Sequence, residues 1–319
     1  MLILLKNNVN YAQNKFNLEK YEKHKRKISG FFSFIVFFNA NFTFVNSSII
    51  PKRCIYDLKT ATIKRVKNNT MKTQNRYRIG KTYISVTNPD DAQKRIEQAA
   101  LSGQGGYVCV SNMRTVVCAN KHNDYLAVMG NAFMCLPDGM PLVWMAKLWG
   151  LGNVQRTTGP DLFLSMLGTP ENGIRHFLLG DTEETLSALK SRYSQSSIVG
   201  IYSPAFCEVD EFDYEDIARK IRASNTDVVW VALRAPKQDF FAARLFEYLP
   251  DKVLIGVGAA FRFALGEIKH PNKMVQKMGL TGLIWRKNKL GTLRNTIVRT
   301  MYLCKYGIGI LWTRLLGRN

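Results

Sequence analysis

The sequence predicts an α/β protein built on a Rossmann-like parallel sheet with helices on both faces, followed by a basic amphipathic C-terminal appendage. From Tyr83 onward, short apolar runs alternate with amphipathic segments. The runs are apolar throughout, as in strands covered on both faces. The excess of Lys and Arg gathers at the two chain ends, leaving a charge-balanced middle. Tyr107–Val110, Ile174–Leu179, Ser197–Tyr202, Asp227–Leu233 and Lys252–Val257 read as strands. Helices are expected at Thr182–Arg192, Tyr214–Ala223 and Gln238–Tyr248. Asp181 or Thr182 suits the N-cap of the first, with Glu183 and Glu184 in its opening turn. Ligands in such sheets sit beyond the carboxyl ends of the strands, which directs attention to the loops after Leu136, Leu179, Tyr202, Leu233 and Val257.

The chain has 319 residues, 46% of them hydrophobic, enough for one large core or two small ones. Its net charge of +21 is unevenly spread: residues 1–70 hold 13 Lys/Arg against 3 Asp/Glu, and residues 262–319 hold 12 against 1. The remainder holds 20 of each. A nucleic-acid enzyme carries its cations through the working domain, so this pattern points to an anionic membrane surface and away from nucleic acid. We therefore divide the chain into an N-terminal extension (1–70), an α/β domain (71–261) and a basic appendage (262–319).

The extension is Asn- and Lys-rich around the apolar run Phe31–Phe38. It reads first as an over-long start, with Met71 opening the functional chain. A membrane anchor from Phe31 is the second reading, and a signal peptide the third, against which stand its late start and want of a clear small-residue cleavage site. The appendage interleaves Trp285, Tyr302, Tyr306 and Trp312 with Arg286, Lys287, Lys289, Arg294 and Arg299. Two readings stand: an interfacial element on anionic lipid, or a helix docked on the core with a solvated basic face. Six scattered cysteines without a CxxC pair read as small core residues of a reducing compartment, and four distant histidines offer no metal-ligand spacing.

The most informative segment is Leu136-Pro-Asp-Gly-Met-Pro-Leu-Val143. An apolar run ends in Pro137-Asp138-Gly139, which throws a carboxylate out at a strand-to-helix corner. Asp138 there can abstract a hydroxyl proton, or it can cap the helix Pro141–Lys147. Around it stand Asn112 after the strand Tyr107–Ser111, then Thr158-Gly-Pro-Asp-Leu-Phe163, Ala235-Pro-Lys-Gln-Asp239 and Gly256-Val-Gly-Ala-Ala-Phe261. This ordered set resembles the WecG/TagA/CpsF glycosyltransferases, glycosyltransferase family 26, over about residues 80–285.

The resemblance implies an inverting transferase that needs neither metal nor cofactor and attaches to the membrane through its appendage, peripherally on the inner face. It implies a UDP-sugar donor, N-acetylmannosamine or its uronic acid before other hexoses, and a polyprenyl-diphosphate-linked acceptor. Asp138 would be the general base and Asn112 a substrate-positioning group. Gly139, Thr158, Gly159, Pro160, Asp161, Lys237 and Gln238 would form pocket walls, and Arg286 and Arg294, with Arg299, would neutralise the leaving diphosphate. For the wall residues, ordinary turn and capping chemistry is the competing account. The chain departs from the family pattern at Val110, where a Thr is usual, and at Arg262, where an Asp is common; Lys269-His-Pro271 and Gly279-Leu-Thr-Gly282 also differ. Self-association is left open.

Two rival classes remain. A nucleotide- or dinucleotide-binding oxidoreductase shares the sheet pattern, but Gly103-Gln-Gly-Gly106 precedes its strand and Gly256-Val-Gly258 has no third glycine at the proper spacing. A non-catalytic membrane-surface scaffold would show no affinity for UDP.

Overall fold

The computed structural model describes residues 75–169, 172–269 and 289–315. It opens with an antiparallel hairpin, β1 (Arg76–Ile79) and β2 (Thr82–Ser85). Helix α1 (Pro89–Leu101) begins where Asn88 caps the Asp91 N–H and Pro89 pre-sets the first turn. Six strands then alternate with helices. β3 (Gly106–Ser111) leads to α2 (Met113–Lys121) and α3 (Asn123–Asn131), and β4 (Met134–Pro137) to α4 (Met140–Leu148) and α5 (Gly159–Leu167). β5 (His176–Gly180) and α6 (Glu183–Arg192) precede β6 (Ile198–Tyr202) and α7 (Tyr214–Ala223). β7 (Val228–Ala232), α8 (Lys237–Tyr248), β8 (Val253–Gly256) and α9 (Ala260–Ala264) follow, and α10 (Lys289–Leu315) is the last described element.

The six strands are all parallel, in the order β4-β3-β8-β7-β5-β6. β3, β4, β5, β7 and β8 are buried at every position, so the unbroken apolar runs of the sequence are those of strands covered on both sides. One face is covered by α2, α3, α7 and α8, the other by α1, α5, α6 and α9. Beneath the second face Trp230 is fully buried, with Phe163 edge-on at 5.0 Å and Phe261 a further 5.2 Å from Phe163. Tyr125, Phe240, Phe241 and Tyr214 fill the first.

The expected strands fall within two residues of those observed, and Thr182 caps α6 by accepting from the Thr185 N–H. The hairpin, α1, α2, α3, α5 and α9 were not anticipated. The glycines before β3 serve packing: Gly105 has φ +62, and a Cβ there would lie 2.1 Å from the Pro250 carbonyl oxygen. That contact is the physical reason the Gly103–Gly106 segment is a turn against the β8 edge and not a phosphate loop.

Two consequences position the functional site. β3 and β8 are neighbours, yet α2 leaves β3 toward one face and α9 leaves β8 toward the other. A crevice therefore opens between their carboxyl ends, as at the switch point of other doubly wound sheets. Helix α10, in turn, docks on α2 and α4. Ile310 is buried, Gly307 comes close enough that a Cβ would meet Leu148 and Met145 at 3.4 and 3.5 Å, and Lys121 Nζ lies 5.1 Å over the Tyr302 ring. Ile297, Ile308, Leu311, Trp312 and Leu315 face outward. One face of the tail helix is thus docked, as one of the two sequence readings expects, and the exposed face carries large apolar side chains beside Lys305. No helix among the described residues is long and apolar enough to cross a membrane.

Trp230→Ala should remove the centre of the second-face core and lower unfolding free energy by about 3–5 kcal/mol. Urea unfolding of the full chain measures this. A loss under about 1 kcal/mol would mean that the site collapses around the deletion and that Trp230 is not its keystone.

Candidate functional site

The corner after β4 is built by backbone pairing first. The Asp138 N–H donates to the Ser111 carbonyl at 2.8 Å, and the Thr157 N–H to the Pro137 carbonyl at 2.9 Å, so the ends of β3 and β4 and the strand-like entry to α5 are pinned together. Gly139, not Asp138, stands at the N-cap of α4, and no side chain caps that helix. The capping account of Asp138 therefore fails, and its carboxylate is left to the crevice.

The groups around that carboxylate come from three segments. Asn112 caps α2 through Oδ1, which accepts from the N–H groups of Arg114 and Thr115 at 3.0 and 3.3 Å, and its amide turns to the Asp138 carboxylate. Arg156 donates through Nε to the Asp138 backbone carbonyl at 2.8 Å and places its charge beside the side chain. Asp161 lies close enough to repel. Burial pushes the Asp138 carboxyl up to about 6; the Asp161 charge adds to the rise, while Arg156 and the Asn112 hydrogen bond oppose it. A carboxylate set there is ionised at neutral pH and more basic than an ordinary one.

Thr158 is buried and caps α5, accepting from the Asp161 N–H at 3.1 Å. Gly159 is required by proximity: a Cβ would lie 3.0 Å from the Val257 carbonyl oxygen. Pro160 completes the first turn. Capping chemistry is thus present at Asn112 and Thr158, and it is what holds Asp161 near Asp138. Beside this corner a cavity between α1 and α5 is lined by Asp90, Gln93, Thr157, Thr158, Asp161 and Ser165.

The second half of the expected constellation divides. Gln238 is buried and its Oε1 accepts from the Gly258 N–H at 2.9 Å, bracing the loop after β8. A Cβ on Gly256 would meet its Nε2 at 2.8 Å, which explains the glycine. Lys237 points the other way, its ammonium donating to the Cys207 carbonyl and lying over the rings of Phe206 and Phe212. It is no wall of the crevice in this arrangement, because the carbonyl and two ring faces satisfy it outside. Arg286 lies outside the described residues, and Arg294 stands on α10 with its side chain outside them.

Sequence reasoning missed Arg156 and Asp239. Arg156 sits 18 residues beyond Asp138 in the chain, just before Thr158-Gly-Pro-Asp, and only the fold brings it back. Asp239 is 1% exposed, accepts from the Tyr125 hydroxyl at 2.5 Å, and is pushed up to about 7, chiefly by burial. Its place beside Gln238 was the one available signal. Among the described residues, no three His, Cys, Asp or Glu side chains converge as a metal site would require.

The model of the "Glycosyl transferase WecG/TagA/CpsF family" matches residues 77–286. A protein of Bacillus spizizenii named N-acetylglucosaminyldiphosphoundecaprenol N-acetyl-beta-D-mannosaminyltransferase is 32% identical over 171 residues, covering 52% of this chain and 65% of the relative. One of the same name from Bacillus subtilis is 30% identical over 178 residues, covering 54% and 68%. The chain thus spans about two thirds of the length of these relatives.

A carbon-detected NMR titration should place the Asp138 carboxyl midpoint near 6. Arg156→Gln removes a cation and should move it up, whereas Asp161→Asn removes an anion and should move it down. An ordinary midpoint near ~4 in the parent would mean that the corner is open to water.

Proposed function

This chain belongs to the WecG/TagA/CpsF glycosyltransferase family, and from that membership and the Asp138 corner we propose that it transfers an N-acetylhexosamine-type sugar, N-acetylmannosamine or its uronic acid, from a UDP donor to a polyprenyl-diphosphate-linked sugar. The observation that carries this reading is a half-buried carboxylate, not spent on capping, at the mouth of a switch-point crevice. In an inverting transfer the acceptor oxygen attacks the anomeric carbon as Asp138 takes its proton. The bond from that carbon to the diphosphate oxygen breaks, and UDP departs with the electron pair. One positioned base contributes about 10²–10⁴-fold to such a step. Asn112 and Arg156 hold that base in place, and the hydroxyl- and carboxylate-lined cavity beside Asp161 suits the acceptor sugar.

We assign Asp161, whose charge acts on Asp138, to the pocket wall, and Gln238 to bracing that wall through the Gly258 N–H. The extension 1–70, the domain 71–261 and the appendage 262–319 remain our division of the chain. The tail bears on location: α10 shows Ile308, Leu311, Trp312 and Leu315 to solvent with Lys305 exposed among them, the composition of an interfacial helix. We place the protein peripherally on the inner face of the cell membrane, where a lipid-linked acceptor is presented.

Asp138→Asn should lower turnover with UDP-N-acetylmannosamine and a lipid-diphosphate-linked N-acetylglucosamine acceptor by at least ~10²-fold while leaving UDP affinity and the unfolding midpoint close to the parent's. Equal turnover would remove Asp138 from the chemistry. On anionic vesicles, replacing Trp312 and Leu315 with Ser should weaken binding by at least about tenfold. Higher salt should weaken the parent's binding as well. Unchanged vesicle binding would show that the outward face of α10 does not meet lipid.

A further inference from the structure

Resting on the UDP-donor reading, we propose that the donor's diphosphate is held by three core arginines, Arg114, Arg234 and Arg262, gathered around the carboxyl end of β7. The expected source of positive charge was the tail, yet these three come from the segments that follow β3, β7 and β8: Arg114 and Arg262 from the helices α2 and α9, and Arg234 from the loop after β7. Arg114, in the first turn of α2, is exposed and reaches across the crevice mouth to donate through Nη2 to the Ala235 carbonyl at 2.6 Å. Arg234 is the residue next to that carbonyl and is also exposed. Arg262, on α9, approaches from the opposite face and forks onto Asp181, Nε to Oδ2 at 2.9 Å and Nη2 to Oδ1 at 2.8 Å.

Charge and strain both mark the place. Arg114 is held by a neutral carbonyl, and among the described residues neither it nor Arg234 has a carboxylate within ion-pair distance. Asp181 is the one carboxylate within ion-pair distance of any of the three among the described residues, with Glu267 and the buried Asp239 acting on Arg262 and Arg114 from farther off. Two of the guanidinium groups thus meet no carboxylate directly, which suits a sugar-linked diphosphate. Asp181 and Arg234 both hold left-handed backbone, φ +57 and +65, where glycine is the residue that fits without cost. They stand at the ends of adjacent strands β5 and β7, and the Arg234 charge acts on the Asp181 carboxylate. Asp181 is anchored further, since Ser203 Oγ donates to its carbonyl at 2.7 Å and its Oδ1 accepts from the Thr182 N–H at 3.0 Å. A guanidinium oriented by a fixed carboxylate on one edge presents its other edge as a pre-organised phosphate donor. The Arg262 side chain keeps 42% of its surface exposed while that of Asp181 is 10% exposed, so the pair has a hidden anchor and an open hand.

The position also fits the length of the ligand. Asp138 follows β4 at one edge of the crevice and this cluster follows β7, three strands away in the order β4-β3-β8-β7. At about 4.8 Å per strand that separation is roughly 14 Å. A sugar at Asp138 would trail its diphosphate along the crevice floor toward β7.

Calorimetric titration of the full chain with UDP, uridine and inorganic pyrophosphate tests this. The parent should bind UDP, with pyrophosphate competing. Arg114→Gln, Arg234→Gln and Arg262→Gln should each weaken UDP at least about tenfold and uridine far less. Asp181→Asn, which keeps the Arg262 charge, should cost less affinity than Arg262→Gln. If Asp181→Asn and Arg262→Gln lose the same affinity and the same unfolding midpoint, the pair is a tether between β5 and α9, and the assignment of Arg262 is overturned. If the parent binds UDP and all three arginine variants match it, the anion site is wrong and the donor reading survives. If the parent binds pyrophosphate through these arginines but not UDP, the site stands and the UDP reading falls. Binding of neither ligand by the parent overturns both.

Discussion

The candidate site is arranged around one topological constraint. β3 and β8 pair side by side in the middle of the sheet, but their chains must leave toward opposite faces because the helices that follow pack on opposite sides. The backbone cannot fill the space between two diverging exits, so the sheet ends in a crevice there. Asn112 and Arg114 line it from β3 and Gly258 from β8. The apolar layers, with Trp230 and Phe163 on one side and Tyr125 and Phe241 on the other, hold the two exits apart.

Helix capping and site construction are the same act here. An unsatisfied N–H at a helix start must find an acceptor, and Asn112 and Thr158 supply it at the first turns of α2 and α5. Because both helices start at the crevice, the caps fix the Asn112 amide and Asp161 beside Asp138. Asp138 itself is excluded from this duty, since α4 starts at Gly139 with no side-chain cap. Two further buried carboxyl settings show how environment separates like groups. Asp239 sits under the floor against Tyr125 and is raised by burial, whereas Asp181 is held below the usual carboxylate range, first by its hydrogen bonds to Arg262.

The last helix carries a different division of labour. Its docked side uses Gly307 and Ile310 to approach α4 closely, leaving Trp312 and Leu315 to solvent. Large apolar side chains held outward on a docked helix cost hydration free energy unless another apolar phase receives them. In the peripheral-membrane reading proposed above, a bilayer interface is that phase, and the exposed Lys305 suits anionic headgroups.

The sequence by itself determined the parallel sheet, because unbroken apolar runs such as Val228–Ala232 can be stable only between two layers of helices. It determined the Pro137-Asp138-Gly139 corner and the order of the segments around it, since turn chemistry is local. Short elements with weak periodicity escaped it: β1 and β2 are four residues each, and α5 hides behind Thr158-Gly159-Pro160. Only the tertiary structure decided what each polar side chain faces. Lys237 and Gln238 are neighbours in the chain, yet one turns outward to Cys207 and the other inward to Gly258, a choice set by which partner the packing leaves in reach. Arg156 and Asp138, 18 residues apart, meet because the segment before α5 is pinned to Pro137, and the Asp181–Arg262 pair joins positions 81 residues apart across strands that pair late in the chain. Contacts of that kind come from sheet order, and sheet order is a property of the whole folded chain that no local pattern encodes.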